Sequence, residues 1–133
     1  ECFVKTTDNN FSLIDFYGNN GWSVFVDSNG KLAFYAATAL VVTSTASVNT
    51  GSWVHIAVTR QGTALKLWIN GVLNDSTTDS TDMNTQNAYL AIGAQVSSRN
   101  ATYDMSGQVD EVRIRKGEAL YSANFTPPTA ELA

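Results

Sequence analysis

Side chains that commonly perform catalysis are scarce in this chain of 133 residues, which has one histidine, His55, and one cysteine, Cys2. A Ser-His-Asp or Cys-His site would have to use His55. A zinc site needs three or four nitrogen or sulfur ligands, and one histidine with one cysteine does not supply them. The sequence therefore indicates no catalytic residue and no metal centre of the His/Cys type.

His55 lies in an alternating segment of residues 53–60. On a strand it shares a face with Ala57 and Thr59, opposite the apolar side chains of Val54 and Ile56. This position predicts a histidine on a sheet face, hydrogen-bonded to a neighbouring side chain, rather than the base of an active site.

Asp110 and Glu111 are the adjacent carboxylates of the last predicted strand. A strand sends neighbouring side chains to opposite faces, so these two cannot act together on one substrate. We expect this strand to continue to Arg115, with Asp110, Val112 and Ile114 on the core side.

Trp68 and Lys66 form the more informative pair. Leu67 and Ile69 supply the core face of their strand, which leaves Lys66 and Trp68 on the outer face beside His55 of the neighbouring strand. An outward tryptophan could stack on a sugar ring while Lys66 binds its hydroxyl groups. In the alternative that we favour, another subunit, a loop or a preceding segment covers Trp68, because exposed aromatic residues mark interfaces of any kind.

Tyr103 and Asp104 are a second pair of candidate contacts. They lie in a polar segment, residues 95–105, that we expect to form a loop at the rim of the fold. Ordinary loop structure is the favoured alternative for both residues.

The C-terminal part of the chain carries Tyr121 and Phe125, followed by Pro127 and Pro128. We expect the two rings to pack back onto the fold as a terminal latch. The prolines would prevent further strand pairing, because proline has no backbone N–H to donate.

Short alternating segments dominate the chain, and helical periodicity is almost absent. The strands are predicted at residues 11–17, 22–27, 31–37, 40–47, 53–60, 65–69 and 89–94. The turn signals between them include residues 27–30 and Asn70-Gly71, the strongest signal for a two-residue hairpin. Residues 75–87 are polar and are predicted to form a loop.

The composition limits the classes of partner. The net charge is −4, and charged residues make up 15% of the chain. We expect no nucleic-acid partner, because phosphate binding requires clustered Lys and Arg. A single cysteine allows no internal disulfide, and no apolar run has the length of a membrane span. We therefore expect no membrane partner either.

Two sequence motifs resemble the laminin-G-like (concanavalin A-like) jelly rolls. The first is W-V-H-I-A-V-T-R followed by L-K-L-W-I-N-G-V-L, at residues 53–60 and 65–73. The second is V-D-E-V-R-I-R-K-G-E-A-L-Y-S-A-N-F-T-P-P, at residues 109–128, which is especially similar to copies in bacteriophage virion proteins. The resemblance implies an all-β fold, a sandwich of two antiparallel sheets with jelly-roll topology.

The resemblance also sets expectations for function. We expect a non-enzymatic structural or recognition domain on the surface of a bacteriophage particle, in a capsid-decoration, tail or fibre protein. Its partners would be other virion proteins, further copies of itself or a cell-surface glycan. The alternative is a carbohydrate-binding or adhesion module of an extracellular multidomain protein.

Enzymatic and metal-dependent functions receive less support from the resemblance. Glucanases of this architecture carry an E-x-D-x-x-E type strand, and the sequence has none. Related laminin-G-like domains can bind calcium at the rim, but no D-x-D-x-D-G run is present. We thus expect no cofactor, with calcium as an option that no motif supports.

Residues 1–133 are predicted to form one domain. Alternation begins at the first residues, Glu1-Cys2-Phe3-Val4, as if part-way through a strand. We accordingly expect the domain to be part of a longer chain that extends on the N-terminal side.

Overall fold

The computed structural model describes residues 1–17, 20–83, 89–96 and 100–129. The described residues form ten strands and one short 3-10 helix. The strands are β1 Cys2–Lys5, β2 Phe11–Tyr17, β3 Trp22–Val26, β4 Lys31–Ala36, β5 Ala39–Ser47, β6 Val54–Gln61, β7 Ala64–Ile69, β8 Val72–Thr78, β9 Tyr89–Ile92 and β10 Gln108–Asp110. The 3-10 helix is Ala101–Tyr103.

The strands build two five-stranded sheets. The first sheet has the order β10-β1-β6-β7-β8, and the second has the order β5-β4-β3-β2-β9. Each recorded strand pair is antiparallel. The two sheets form a sandwich, so the predicted all-β fold is confirmed.

The core lies between the sheets and follows the predicted alternation along β6 and β7, but not along β2, where the adjacent residues Leu13 and Ile14 are both buried. Its buried apolar side chains come from both sheets; they are Cys2, Val4, Phe11, Leu13, Ile14, Val24, Val26, Leu32, Phe34, Ala36, Val42, Val48, Val54, Ile56, Leu65, Leu67 and Ile69. Burial raises the pKa of the Cys2 thiol to about 12. Cys2 is therefore a small core residue rather than a reactive thiol.

Asn74 ties the two sheets together along one side of the sandwich. Its Oδ1 accepts hydrogen bonds from the backbone N–H of Thr45 at 2.7 Å and of Ala46 at 3.1 Å. The polar residues that follow Asn74 were predicted to form a loop, but β8 continues to Thr78. The prediction was wrong for residues 75–78, because β8 is an edge strand, whose outer positions tolerate hydroxyl and carboxylate side chains. Residues 79–83 lie outside any strand, as predicted, and residues 84–87 lie outside the described residues.

The predicted turn at Asn70-Gly71 is confirmed. Both residues have positive φ angles, 50° and 77°, as the tight hairpin between β7 and β8 requires. The last strand is shorter than predicted, because Glu111 has a φ of 53° and interrupts the extended backbone after Asp110. Val112 still packs against the core, whereas Asp110 and Ile114, also expected on the core side, are exposed, Ile114 by 47%.

Candidate functional site

The predicted cluster of His55, Lys66 and Trp68 does assemble on the outer face of the first sheet. Trp68 pairs with Ala57 across β6 and β7, and its Nε1–H donates to Thr59 Oγ1 at 2.9 Å. Trp68 is 0% exposed and His55 is 1% exposed, which agrees with the favoured alternative of a covered tryptophan rather than with an open sugar-binding face. Neither ring is open to a ligand in this structure.

The C-terminal segment covers this face. We call residues 119–129 the latch. The Phe125 ring lies edge-on to Trp68 and His55, with ring centroids 5.7 and 5.6 Å apart, and Tyr121 stacks on Phe125 at 3.5 Å. The predicted packing of these two aromatic rings onto the sandwich is thus confirmed, and a loop is what covers Trp68.

Polar contacts hold the latch at both edges of this cluster. Lys66 Nζ donates to the Ser122 carbonyl at 2.9 Å. The Phe125 backbone N–H donates to the Gly71 carbonyl at 2.9 Å, and Asn124 Oδ1 accepts from the Leu73 N–H at 2.9 Å. Lys66 therefore binds the chain itself rather than an open ligand surface.

Glu1 is the centre of a charged network beneath the latch. Its Oε2 accepts hydrogen bonds from His55 Nε2 at 2.9 Å and from the Tyr121 hydroxyl at 2.6 Å. Its Oε1 accepts from Arg113 Nε at 2.8 Å and also from Arg113 Nη2. The predicted hydrogen bond between His55 and a neighbouring side chain is confirmed.

The network sets the protonation states of its members. Burial raises the pKa of Glu1, but the hydrogen bonds from Tyr121, Arg113 and His55 outweigh it, so the pKa lies below its ordinary value. Burial lowers the pKa of His55 more than the hydrogen bond to Glu1 raises it. Burial, followed by the hydrogen bond to Glu1, raises the pKa of Tyr121 to about 12. At pH 7 the network therefore contains a carboxylate, a guanidinium, a neutral imidazole and a neutral phenol.

The histidine tautomer follows from its partner. A carboxylate can only accept, so the His55 Nε2 carries the proton, and Nδ1 is an acceptor. Nδ1 is buried without a hydrogen-bond partner among the described residues. The network resembles an acid–base site in composition, yet in this structure it joins Glu1, the residue before β1, to β6 and to the latch.

An open groove lies on the outer face of the second sheet. A β-bulge between Ser12 and Ile14 brings Asp15 to this groove, because the extra residue reverses the alternation of β2. Leu13 and Ile14 are consequently both buried in the core, and Asp15 turns to the outer face, opposite Ser23 of β3. Strict alternation from Phe11 would have placed Asp15 in the core.

The groove has a volume of about 410 Å³, within the usual range for ligand sites. Aromatic and polar side chains line it together; the lining residues are Asn10, Asp15, Phe16, Gly21, Trp22, Ser23, Phe25, Tyr35, Thr38, Gln95 and Tyr103. Phe25 is at the centre of three rings. Tyr35 and Tyr103 lie edge-on to it, with centroids 6.1 and 6.0 Å away.

Tyr103 is the one predicted contact residue that lines this groove. The 3-10 helix Ala101–Tyr103 positions it, and Asn100 begins that helix by accepting from the Thr102 N–H at 3.0 Å. Asp104 follows as the exposed C-cap residue and is not among the groove-lining residues.

The remaining groove residues had not been identified as contacts. Phe25 and Tyr35 carry a signal that could have found them. In the hairpin around residues 27–30 they alternate with the core residues Val24, Val26 and Phe34 and therefore lie on the other face of the sheet. Asp15 carries no such signal, because its orientation depends on the bulge.

A family profile of the concanavalin A-like lectin/glucanases superfamily, of laminin-G type, matches residues 1–121. The chain belongs to this superfamily. The profile covers both sheets, the groove and the start of the latch. The superfamily contains both lectins and glucanases, so membership alone does not decide between binding and catalysis.

Two further proteins are similar to this superfamily member. A "sushi, von Willebrand factor type A, EGF and pentraxin domain-containing protein 1" from Rattus norvegicus is 38% identical over 73 residues, which is 53% of this chain and 2% of that protein. The crystal structure of a native heptameric SAP-like pentraxin from Limulus polyphemus aligns with a TM-score of 0.61 at 14% identity. That alignment covers 83% of this chain and 59% of the pentraxin chain, and it supports the sandwich fold.

The laminin-G-type domain offers no candidate metal centre in the part that the structure describes, where no group of three His, Cys, Asp or Glu side chains is placed to hold an ion. In the same ranges, no helix combines the length and the apolar character needed to cross a membrane.

Proposed function

We propose that this laminin-G-type domain is a non-catalytic recognition module that binds a cell-surface glycan in the groove of the second sheet. The observation that carries the proposal is the combination of half-buried aromatic rings with amide, hydroxyl and carboxylate side chains in one open cavity. Aromatic rings bind the apolar faces of sugars, and the polar groups fix the orientation of the ligand.

Non-catalytic binding is the better-supported activity of this groove. Glycoside hydrolysis normally uses two carboxyl groups on either side of the scissile bond. Among the described groove-lining residues, Asp15 is the only carboxylate. The other acid–base candidates, Glu1 and His55, are buried under the latch, where a substrate has no access.

The surface of a bacteriophage particle is the location that we propose for the domain, in contact with other virion proteins or further copies of itself. The support is the resemblance of residues 109–128 to virion proteins; these residues include most of the latch. The alternative, an adhesion module of an extracellular multidomain protein, is supported by the likeness to the rat protein. Imaging of the intact source distinguishes the two, because a regular array on a capsid or tail contradicts the alternative.

The glycan proposal is tested by screening the purified domain on a glycan array and measuring the affinity of the best ligand by calorimetry. We expect Tyr103→Ala to weaken binding about tenfold, since it removes one ring from the groove. Trp53→Ala is the matched control, because Trp53 is 45% exposed and does not line the groove. Absence of any binding, or equal loss in both variants, would contradict the proposal.

A further inference from the structure

The charge of the groove is negative and comes from a nearly buried group. Asp15 is 5% exposed, and its Oδ2 accepts a hydrogen bond from the Val96 backbone N–H at 2.7 Å. No Lys, Arg or His is among the described lining residues. None of the ion pairs between described residues includes Asp15.

We propose that the groove selects glycans that contain an amino sugar with a free, protonated amine. This inference rests on the proposed glycan-binding function and names the class of sugar. A carboxylate fixed in a cavity with few solvent contacts attracts an ammonium group more strongly than it would in water. The same charge repels uronic acids and sulfated sugars.

The aromatic rings of the groove also favour a protonated amine. Tyr35 and Tyr103 stand edge-on to Phe25, and all three rings line the groove. The faces of aromatic rings attract cations, and this attraction increases when water is partly excluded. An N-acetylated amine carries no charge. An N-acetylated sugar would therefore have neither the attraction to the Asp15 carboxylate nor the cation–π attraction to the rings.

The backbone supports this role for Asp15. The bulge in β2 turns the carboxylate outward, and the loop after β9 holds it through Val96. The Gly93 N–H donates to the Leu13 carbonyl at 2.9 Å, which fixes that loop to the bulge itself. Asp15 is thus positioned by two elements before any ligand arrives.

Three trisaccharides of similar size test the inference by calorimetry: a glucosamine trimer, an N-acetylglucosamine trimer and a galacturonic acid trimer. Measurements at mildly acidic pH keep the amine protonated. We expect the glucosamine trimer to bind about tenfold more tightly than the N-acetylated trimer, as one cation–π contact with one ion pair predicts. The galacturonic acid trimer should bind most weakly.

Asp15→Asn should remove the preference for the amine, because asparagine retains an oxygen for the Val96 N–H but has no charge. Asp110→Asn is the matched control; Asp110 is exposed, lies on β10 of the other sheet and changes the net charge equally. Equal binding of the amine and N-acetyl trimers by the wild type would overturn the inference. So would an equal effect of the two variants, which would indicate long-range charge alone.

The experiment separates this inference from the proposed function. If the N-acetylated trimer binds and Tyr103→Ala weakens that binding, the groove is a glycan site and only the selection of amines is wrong. If none of the trimers binds, and the glycan array also shows no ligand, both proposals fail.

Discussion

The two outer faces of the sandwich carry similar side chains but differ in what covers them. The first face has His55, Lys66 and Trp68, and the latch covers it. The second face has Asp15, Phe25 and Tyr35, and it opens into the groove. Alternation along a strand shows which side chains leave the core, but it does not show which of them reach solvent.

Because only one face is covered, the side-chain contacts on the two faces should contribute to different free energies, that of folding and that of ligand binding. On the latched face, aromatic rings and charges contact the chain itself, so they stabilise the fold. On the open face, the rings of Phe25 and Tyr35 are partly exposed, and Asp15 lines the groove although it is only 5% exposed, so these groups are available to a ligand. Substitutions on the first face should therefore change the stability, and those on the second should change the affinity.

Trp68→Ala should have the largest effect on stability. The ring is completely buried between the sheet and Phe125, and its removal leaves a cavity. We expect a loss of about 3–5 kcal/mol in the free energy of unfolding, the usual range for a buried tryptophan. Urea denaturation measures it. A loss close to that of the exposed control, Trp53→Ala, would show that the latch does not bury Trp68 in solution.

Gly71→Ala should cause the second-largest loss in the free energy of unfolding, because Gly71 lies directly under the latch. A Cβ atom there would lie 1.9 Å from the Phe125 carbonyl oxygen, whereas a Cβ at Gly62 has nothing within 4 Å. Both glycines have positive φ angles, so both substitutions cost about 1 kcal/mol in backbone strain. The collision at Gly71 should add about 2 kcal/mol.

Gly62→Ala is the matched control for that measurement, since it isolates the backbone strain. Equal losses in the two variants would mean that the latch can move away from Gly71 at little cost. In that case the first face would be only loosely covered, and the contrast between the two faces would weaken.

Much of the fold could be predicted from alternation and turn residues, as the strands at residues 11–17 and the Asn70-Gly71 turn show. The end of the last strand could not, because one positive φ angle at Glu111 interrupts it. The packing of Phe125 onto the fold could be predicted, but not that its partner is Trp68, 57 positions earlier in the sequence. Of the groove, only Tyr103 was anticipated, since the orientation of Asp15 depends on a bulge that the residue types do not reveal.

The stability of the latched face should also depend on pH. The folded state lowers the pKa of His55 from 6.5 and that of Glu1 from 4.5. The unfolded chain therefore binds more protons in acid, and stability that is complete above pH 6.5 should fall below it, with a further loss below pH 4.5.

His55→Gln tests the origin of the first step, because glutamine can donate to Glu1 but does not titrate. Urea denaturation at a series of pH values should show a shallower loss between pH 6.5 and 4.5 in this variant than in the wild type. An identical dependence in both proteins would assign the acid loss to groups other than His55.

Tyr35→Ala should produce the smallest change in stability and gives the sharpest test of the contrast. The ring is half-buried and has one recorded ring contact, with Phe25, so its loss should cost about 1 kcal/mol. If the groove is a glycan site, the same variant should lose about tenfold in affinity, whereas Phe125→Ala should lose stability and keep its affinity. A Tyr35→Ala variant that unfolds readily but binds normally would reverse the roles assigned to the two faces.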